Sequence, residues 1–279
     1  MSKRDPWGQR ILRVVDHVQA HLDEDVDPET LADIAGLSLH HFHRVFRGLT
    51  GESVMGFVRR LRLERAAMQL KLGEAPVTQV ALEAGYGSHE AFTRAFRNRF
   101  GVPPRAYREQ TRVEVEVGVP RVELRDDPAL TCIGLRHTGS YSECGQTWGE
   151  LMAHAAKAGW MPHVLGSVGL AYDDPDITAA ERLRYDACMV MEPARARALC
   201  RPPFVLRELP AGRYAITLHR GDFESILETY VGLIGRALPF RGVELANEPV
   251  IERYLDDPAT VPLHELRTEI CVRIETRPS

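Results

Sequence analysis

Apolar positions recur at helical spacing through the first part of the chain and at every second position where the rest begins, with the change falling near residue 112. Residues 11–22 carry the first helical stripe. Asp27-Pro28-Glu29 then reads as an N-cap, a proline in the first turn and an acid at the positive end of the helix dipole, opening a second helix that runs to Ala35. Gly36 stops that helix and Ser38 opens the next, in which Phe42, Val45, Phe46 and Leu49 form one apolar face at i, i+3, i+4 and i+7. Two helices across a short glycine turn describe a helix-turn-helix.

The same pattern returns about fifty residues later. Leu31-Ala32, Ala35-Gly36 and Ser38 are echoed by Val80-Ala81, Ala84-Gly85 and Ser88, and Phe42, Arg44, Phe46, Arg47 and Gly51 by Phe92, Arg94, Phe96, Arg97 and Gly101. A continuous helix over residues 54–72 joins the copies; at about 1.5 Å per residue it is roughly 28 Å long. A rod of that size can set two recognition helices into successive major-groove turns, about 34 Å apart on one face of the duplex.

After Arg112, Val113-Glu-Val-Glu-Val, Val122 and Leu124 alternate as a half-buried strand does, which leaves only a short linker around residues 110–118. Strands are predicted over residues 130–137, 164–172 and 184–191, with a helix over 146–157 after the first. This β-α-β-β set also recurs, at an offset of 82 to 83. His137, Gly139 and Tyr141 match His219, Gly221 and Phe223, Tyr172 is paired with Tyr254, and Asp173-Asp174-Pro175 corresponds to Asp256-Asp257-Pro258. The predicted fold class is α+β in two domains: residues 1–111 all-α with tandem helix-turn-helix units, and residues 112–279 a duplicated β-α-β-β unit in one antiparallel sheet. Both helices are expected on one side, with a cleft near the pseudo-twofold axis.

Charge divides at the same place. Residues 1–112 hold 17 basic and 14 acidic side chains, residues 113–279 hold 18 and 25, so the halves carry +3 and −7. Only Lys3, Lys71 and Lys157 are lysines; the remaining basic residues are arginines, suited to bidentate contacts with phosphate or guanine. Six of nine Phe precede residue 112 and six of eight Tyr follow it, which favours an amphipathic cleft in the second half. The five cysteines, Cys132, Cys144, Cys188, Cys200 and Cys271, form no CxxC pair and read as buried thiols. His40 and His43 stand at i, i+3 without a neighbouring acidic or cysteine ligand, and the Asp-Asp-Pro segments read as turns, so no metal is expected. P-loop, dinucleotide and Ser-His-Asp patterns are absent, and no cofactor is expected. Without a membrane-length apolar stretch or the apolar core of a signal peptide, the chain is expected to be cytoplasmic.

Residues 9–111 resemble the AraC/XylS family of bacterial transcription regulators. The resemblance rests on "LADIAGLSLHHFHRVFRGLTG", the linker "VMGFVRRLRLERAAMQLK" and "VALEAGYGSHEAFTRAFRNRFGVPPRAYR". It implies that the exposed face of each third helix reads bases, which here are His40, His43 and Arg44, and His89, Glu90 and Arg94. The neighbouring Arg47, Arg97 and Arg99 would then meet phosphates, which position without reading sequence. Two recognition helices in one chain imply binding to double-stranded DNA as a monomer.

Residues 117–276 are similar to the GyrI-like ligand-binding domain, on "GLRHTGSY", "GLAYDDP", "LRYDACM", "LPAGRYAITLHRGDF", "VIERYLDDP" and "LRTEICVRI". An AraC-type domain followed by this module is the arrangement of Rob-like regulators. The resemblance implies a small hydrophobic or cationic effector held by Glu252 in a cleft of Tyr141, Trp148, Tyr172, Tyr185, Tyr214 and Tyr254. A buried carboxylate among tyrosines needs pairing, and an organic cation supplies charge and cation–π contact. The competing class is a hydrolase of strained toxins with Glu252 as general base. A sequestering role, or contact of the acidic half with RNA polymerase, is compatible with the regulator reading.

Overall fold

The computed structural model describes residues 6–72, 75–111, 120–238, 243–246 and 248–276, and the chain divides into two compact units, Met1–Glu114 and Val115–Ser279. The predicted strand beginning at Val113 and the centre of the linker lie outside the described residues.

The first unit is helical: α1 (Pro6–Ala20), α2 (Pro28–Ala35), α3 (Leu39–Thr50), α4 (Val54–Leu72), α5 (Val77–Glu83), α6 (His89–Phe100) and α7 (Pro104–Thr111). Asp27 caps α2 by accepting the Thr30 N–H at 2.9 Å, and Gly36 closes it at φ 63°. Each helix-turn-helix turn rests on an arginine of the preceding long helix. A Cβ on Gly36 would stand 3.3 Å from Arg10 Nη1, and one on Gly85 (φ 79°) 2.8 Å from Arg62 Nη1. Positive φ favours glycine at both turns, and the guanidinium beneath leaves a Cβ little room, least of all at Gly85. α4 therefore does for the second unit what α1 does for the first, and the second turn is one residue longer, because Gly87 is inserted before Ser88. Phe42 and Phe46, and Phe92 and Phe96, are buried from the two third helices.

In the second unit the chain forms β1 (Glu123–Asp127), β2 (Leu130–Thr138), α8 (Cys144–Lys157), β3 (Gly166–Ala171), β4 (Arg184–Val190), α9 (Pro193–Leu199), β5 (Val205–Leu209), β6 (Gly212–Arg220), α10 (Ile226–Tyr230), β7 (Val243–Leu245), β8 (Val250–Tyr254) and β9 (Arg267–Thr276). The helix of α10 continues as a π-helix over Val231–Ala237. The antiparallel sheet runs β1-β6-β9-β8-β3-β4-β2-β5, with β7 beside the end of β9. The duplication is visible in this order. β2, β3 and β4 of one copy mirror β6, β8 and β9 of the other across the β3–β8 seam, and β1 and β5 cross to flank the opposite copy.

Register defines the repeat residue by residue. Thr138 faces Arg184 and Arg220 faces Arg267, so the first two strands of each copy correspond at an offset of 82 and the last two at 83. Tyr172 and Leu255 donate equivalent backbone hydrogen bonds to Arg184 and Arg267. The match of Tyr172 with Tyr254 expected from the sequence is thus one residue out: Tyr254 corresponds to Ala171, and Glu252 to Gly169. Because strand side chains alternate, that slip moves Tyr172 to the other face of the sheet.

Helices α8, α9 and α10 cover one face, over Ile133, Ala187, Met189, Ala215, Ile270 and Val272. The other face buries Cys132, Val168, Leu170, Cys188, Ile251 and Cys271. Long ion-paired side chains share that face. Asp186 is fully buried between Arg136 (2.5 Å) and Arg207 (2.7 Å), while Arg253 pairs with Asp127 (2.7 Å) and Glu269 (2.6 Å).

Candidate functional sites

In the helical unit, burial of Phe42 and Phe46 turns His40, His43, Arg44 and Arg47 outward on α3. Phe92 and Phe96 do the same for His89, Glu90, Arg94 and Arg97 on α6. Among the described residues Arg44, Arg47, Arg94 and Arg97 enter no ion pair, so their guanidinium groups stand in solvent ready for an anionic surface. Its own backbone N–H, and then the Ser88 side chain, hold the exposed Glu90 carboxyl below the usual carboxylate range. Arg99, expected at a phosphate, is one third exposed and has its Nη2 2.9 Å from the buried carboxylate of Glu64 on α4. A buried charge requires its partner, and that demand draws Arg99 inward.

The sheet unit gathers its polar aromatics around Glu252 at the β3–β8 seam. Glu252, opposite Gly169 in register, is 9% exposed. Tyr230 Oη, from the end of α10, donates to Oε1 at 2.6 Å, and Tyr254 Oη donates to Oε2 at 2.6 Å. Tyr185 Oη lies 3.5 Å from Oε2 and 2.5 Å from the Tyr254 hydroxyl, and Trp148 Nε1 donates to Tyr185 Oη at 3.2 Å. Burial first, and the charge of Glu252 second, push the Tyr185, Tyr230 and Tyr254 phenols well above their ordinary range, so all three remain neutral donors. Cys144, at the start of α8, is pushed up to about 12 by burial and by the same carboxylate. Tyr254 is met edge-on by Trp148 (5.5 Å, 81°) and by the exposed ring of Phe223 (5.5 Å, 85°).

No ion pair of Glu252 exists among the described residues, because the neighbouring Arg253 points to the opposite face and is spent on Asp127 and Glu269. A carboxylate in a low-dielectric cleft, satisfied by neutral hydroxyls and lacking a cation, offers a site for a positively charged, apolar guest.

The structure brings Tyr141, Trp148, Tyr185 and Tyr254 to the helix-covered face with Glu252. Tyr141 sits at its margin, its ring 6.1 Å from that of Tyr185 and its hydroxyl donating to the Asp173 carbonyl at 2.8 Å. Tyr172 and Tyr214 are not there. Both pack with the opposite-face cluster; Tyr172 donates to Asp186 at 2.7 Å and Tyr214 to the Pro210 carbonyl at 2.9 Å. Strand alternation is the reason in each case. Tyr230 was missed by the sequence reading, yet a signal existed: it lies 82 residues beyond Trp148, the offset that relates the two helices. The repeats thus supply Tyr141 with Phe223, Trp148 with Tyr230, Gly169 with Glu252 and Ala171 with Tyr254, and only one copy places a carboxylate at the seam.

Among the described residues no group of three or more His, Cys, Asp or Glu is arranged to hold a metal, and no helix is long and apolar enough to cross a membrane.

Residues 120–275 match the family described as GyrI-like small molecule binding domain, and residues 31–110 match a Helix-turn-helix domain family. The chain is 24% identical over 261 residues to the Right origin-binding protein of Escherichia coli (strain K12), covering 85% of this chain and 87% of that one. It is 25% identical over 263 residues to the Transcriptional regulator Rob of Salmonella typhimurium, with the same coverage. The Multiple antibiotic resistance protein MarA of Salmonella typhimurium is 31% identical over 108 residues, 39% of this chain and 85% of that protein. The chain therefore belongs to the family with a GyrI-like small molecule binding domain, joined to an AraC-type helix-turn-helix half homologous to those of Rob and MarA.

Proposed function

We propose that this protein is a one-component, cytoplasmic transcriptional regulator that binds double-stranded DNA as a monomer through α3 and α6 and binds a hydrophobic organic cation at Glu252. The observation that carries the effector half is the carboxylate at the β3–β8 seam, 9% exposed, held by tyrosine hydroxyls and without a described cationic partner. The outward arginines Arg44, Arg47, Arg94 and Arg97, free of ion pairs, support the DNA half. Relatives named as a transcriptional regulator and an origin-binding protein favour binding over the hydrolase alternative.

In this reading Arg44 and Arg94 contact guanine O6 and N7, each bidentate pair contributing about 1–3 kcal/mol of discrimination. Selection of bound sequences from a random duplex library tests it with full-length protein. The expected outcome is two short enriched elements about one helical turn apart. Arg44→Ala and Arg94→Ala should each relax one element and weaken specific binding by about 1–3 kcal/mol, with little loss on random DNA. Equal loss on both DNAs would reject base reading by these residues.

A further inference from the structure

Helix α3 packs on the first half of α4, while α6 is held to α4 through α5, α7 and one ionic contact near the middle of the rod, so whatever fixes each of them to that rod fixes their mutual phase. At the first unit the attachment is apolar: Val54, Phe57, Val58 and Leu61 of α4 share one core with Phe42 and Phe46. At the second unit an ionic attachment is added. The Glu64 side chain, 7% exposed, accepts from Arg60 Nη1 at 2.9 Å on its own helix and from Arg99 Nη2 at 2.9 Å in the last turn of α6. Arg60 also reaches Glu52 at the α3–α4 junction, Nη2 to Oε1 at 2.9 Å. Glu52, Arg60, Glu64 and Arg99 therefore alternate in charge from the end of one third helix to the end of the other. The position matching Arg99 in the first unit is the exposed Leu49, so the clasp is no remnant of the duplication.

We propose that the Glu64–Arg99 clasp sets the spacing and rotational phase between the two DNA elements the protein accepts, making Arg99 a positioning residue; this rests on the DNA-binding reading above. Moving one element by one base pair displaces it by roughly 3.4 Å along and about 34° around the duplex. Helices held in one phase cannot follow that change. With the clasp removed, the attachment of α6 to α4 loses its buried ionic link, and the helix gains freedom to follow.

The test uses full-length protein and duplexes in which the two enriched elements are separated by spacers of every length across one helical turn. The native protein should favour one spacing by about 10-fold or more over its neighbours. Glu64→Gln combined with Arg99→Leu removes both charges, leaves neither buried and opposed to nothing, and should keep both element sequences while flattening that preference to about threefold or less. Arg97→Ala, exposed on the same helix, should weaken every spacing alike, as loss of a phosphate contact does. If the double variant weakens every spacing alike, Arg99 is a phosphate contact and the clasp proposal falls; an unaltered spacing preference overturns it equally. If the double variant unfolds, Arg99→Gln alone gives the same readout at a side chain that is one third exposed. Enriched elements that the native protein accepts at any spacing would overturn the clasp alone, whereas no enriched element at all would overturn the DNA-binding reading beneath it.

Discussion

Two carboxylates on opposite faces of one sheet are satisfied in opposite ways. Asp186, fully buried, sits among Arg136, Arg207 and Tyr172; burial alone would raise its pKa, but the two guanidinium charges hold it well below the usual range. Its folded value lies under its unfolded one, so its stabilising contribution is complete above about pH 4 and is lost as pH falls toward the folded value. Asp186→Asn should destabilise the sheet unit by about 3–5 kcal/mol, by taking the buried carboxylate away from two largely buried arginines, and should flatten its acid unfolding. Urea melts at neutral and acid pH check this; an unchanged acid limb would contradict it. Glu252 is satisfied by tyrosine hydroxyls alone, so Tyr230→Phe removes a donor to a charge. That change should cost about 1.5–3 kcal/mol of stability without the ligand, while leaving cation binding no weaker, because the ring remains and the cation takes over the pairing. Weaker cation binding by Tyr230→Phe in a fluorescence titration would contradict it.

At the scale of elements, the seam between β3 and β8 depends on a residue with no side chain. A Cβ on Gly169 would fall 2.1 Å from Tyr185 Oη and 2.8 Å from Tyr254 Oη, so the contact between those hydroxyls exists only because glycine faces Glu252. Gly169→Ala should separate the two tyrosines, cost about 1–3 kcal/mol through overpacking and lower cation affinity with DNA affinity retained. Unchanged cation affinity in the same variant, measured by anisotropy, would contradict it. The same strands mark how much was legible beforehand. The helical unit could be read because its caps, its glycine turns and the Phe42–Phe46 and Phe92–Phe96 stripes are local signals. The duplicated sheet could be read from its repeated turns. The face of each tyrosine could not, because one inserted residue between helix and strand changes the offset from 82 to 83, and alternation converts that into Tyr172 on the wrong face. Tyr230 escaped because its helix continues into the π-helix Val231–Ala237 and only its match to Trp148 marks it. Arg99 escaped because the carboxylate that draws it inward stands 35 positions earlier.

For the whole molecule, the proposed function asks a basic half that binds DNA and an acidic half that binds an effector to act on one another within one chain. A bound effector changes DNA affinity only by binding the two states of the protein unequally. Regulation of this kind depends first on whether Glu252 pairs with a cation at all. The most direct measurement is fluorescence anisotropy of a cationic rhodamine titrated with the full-length protein, repeated with Glu252→Gln and with an uncharged dye of similar shape. The predicted result is saturable binding of the cation by the native protein, a loss of about tenfold or more in Glu252→Gln with the fold intact, and much weaker binding of the neutral dye. Equal affinity of the native protein and Glu252→Gln for the cation would contradict it.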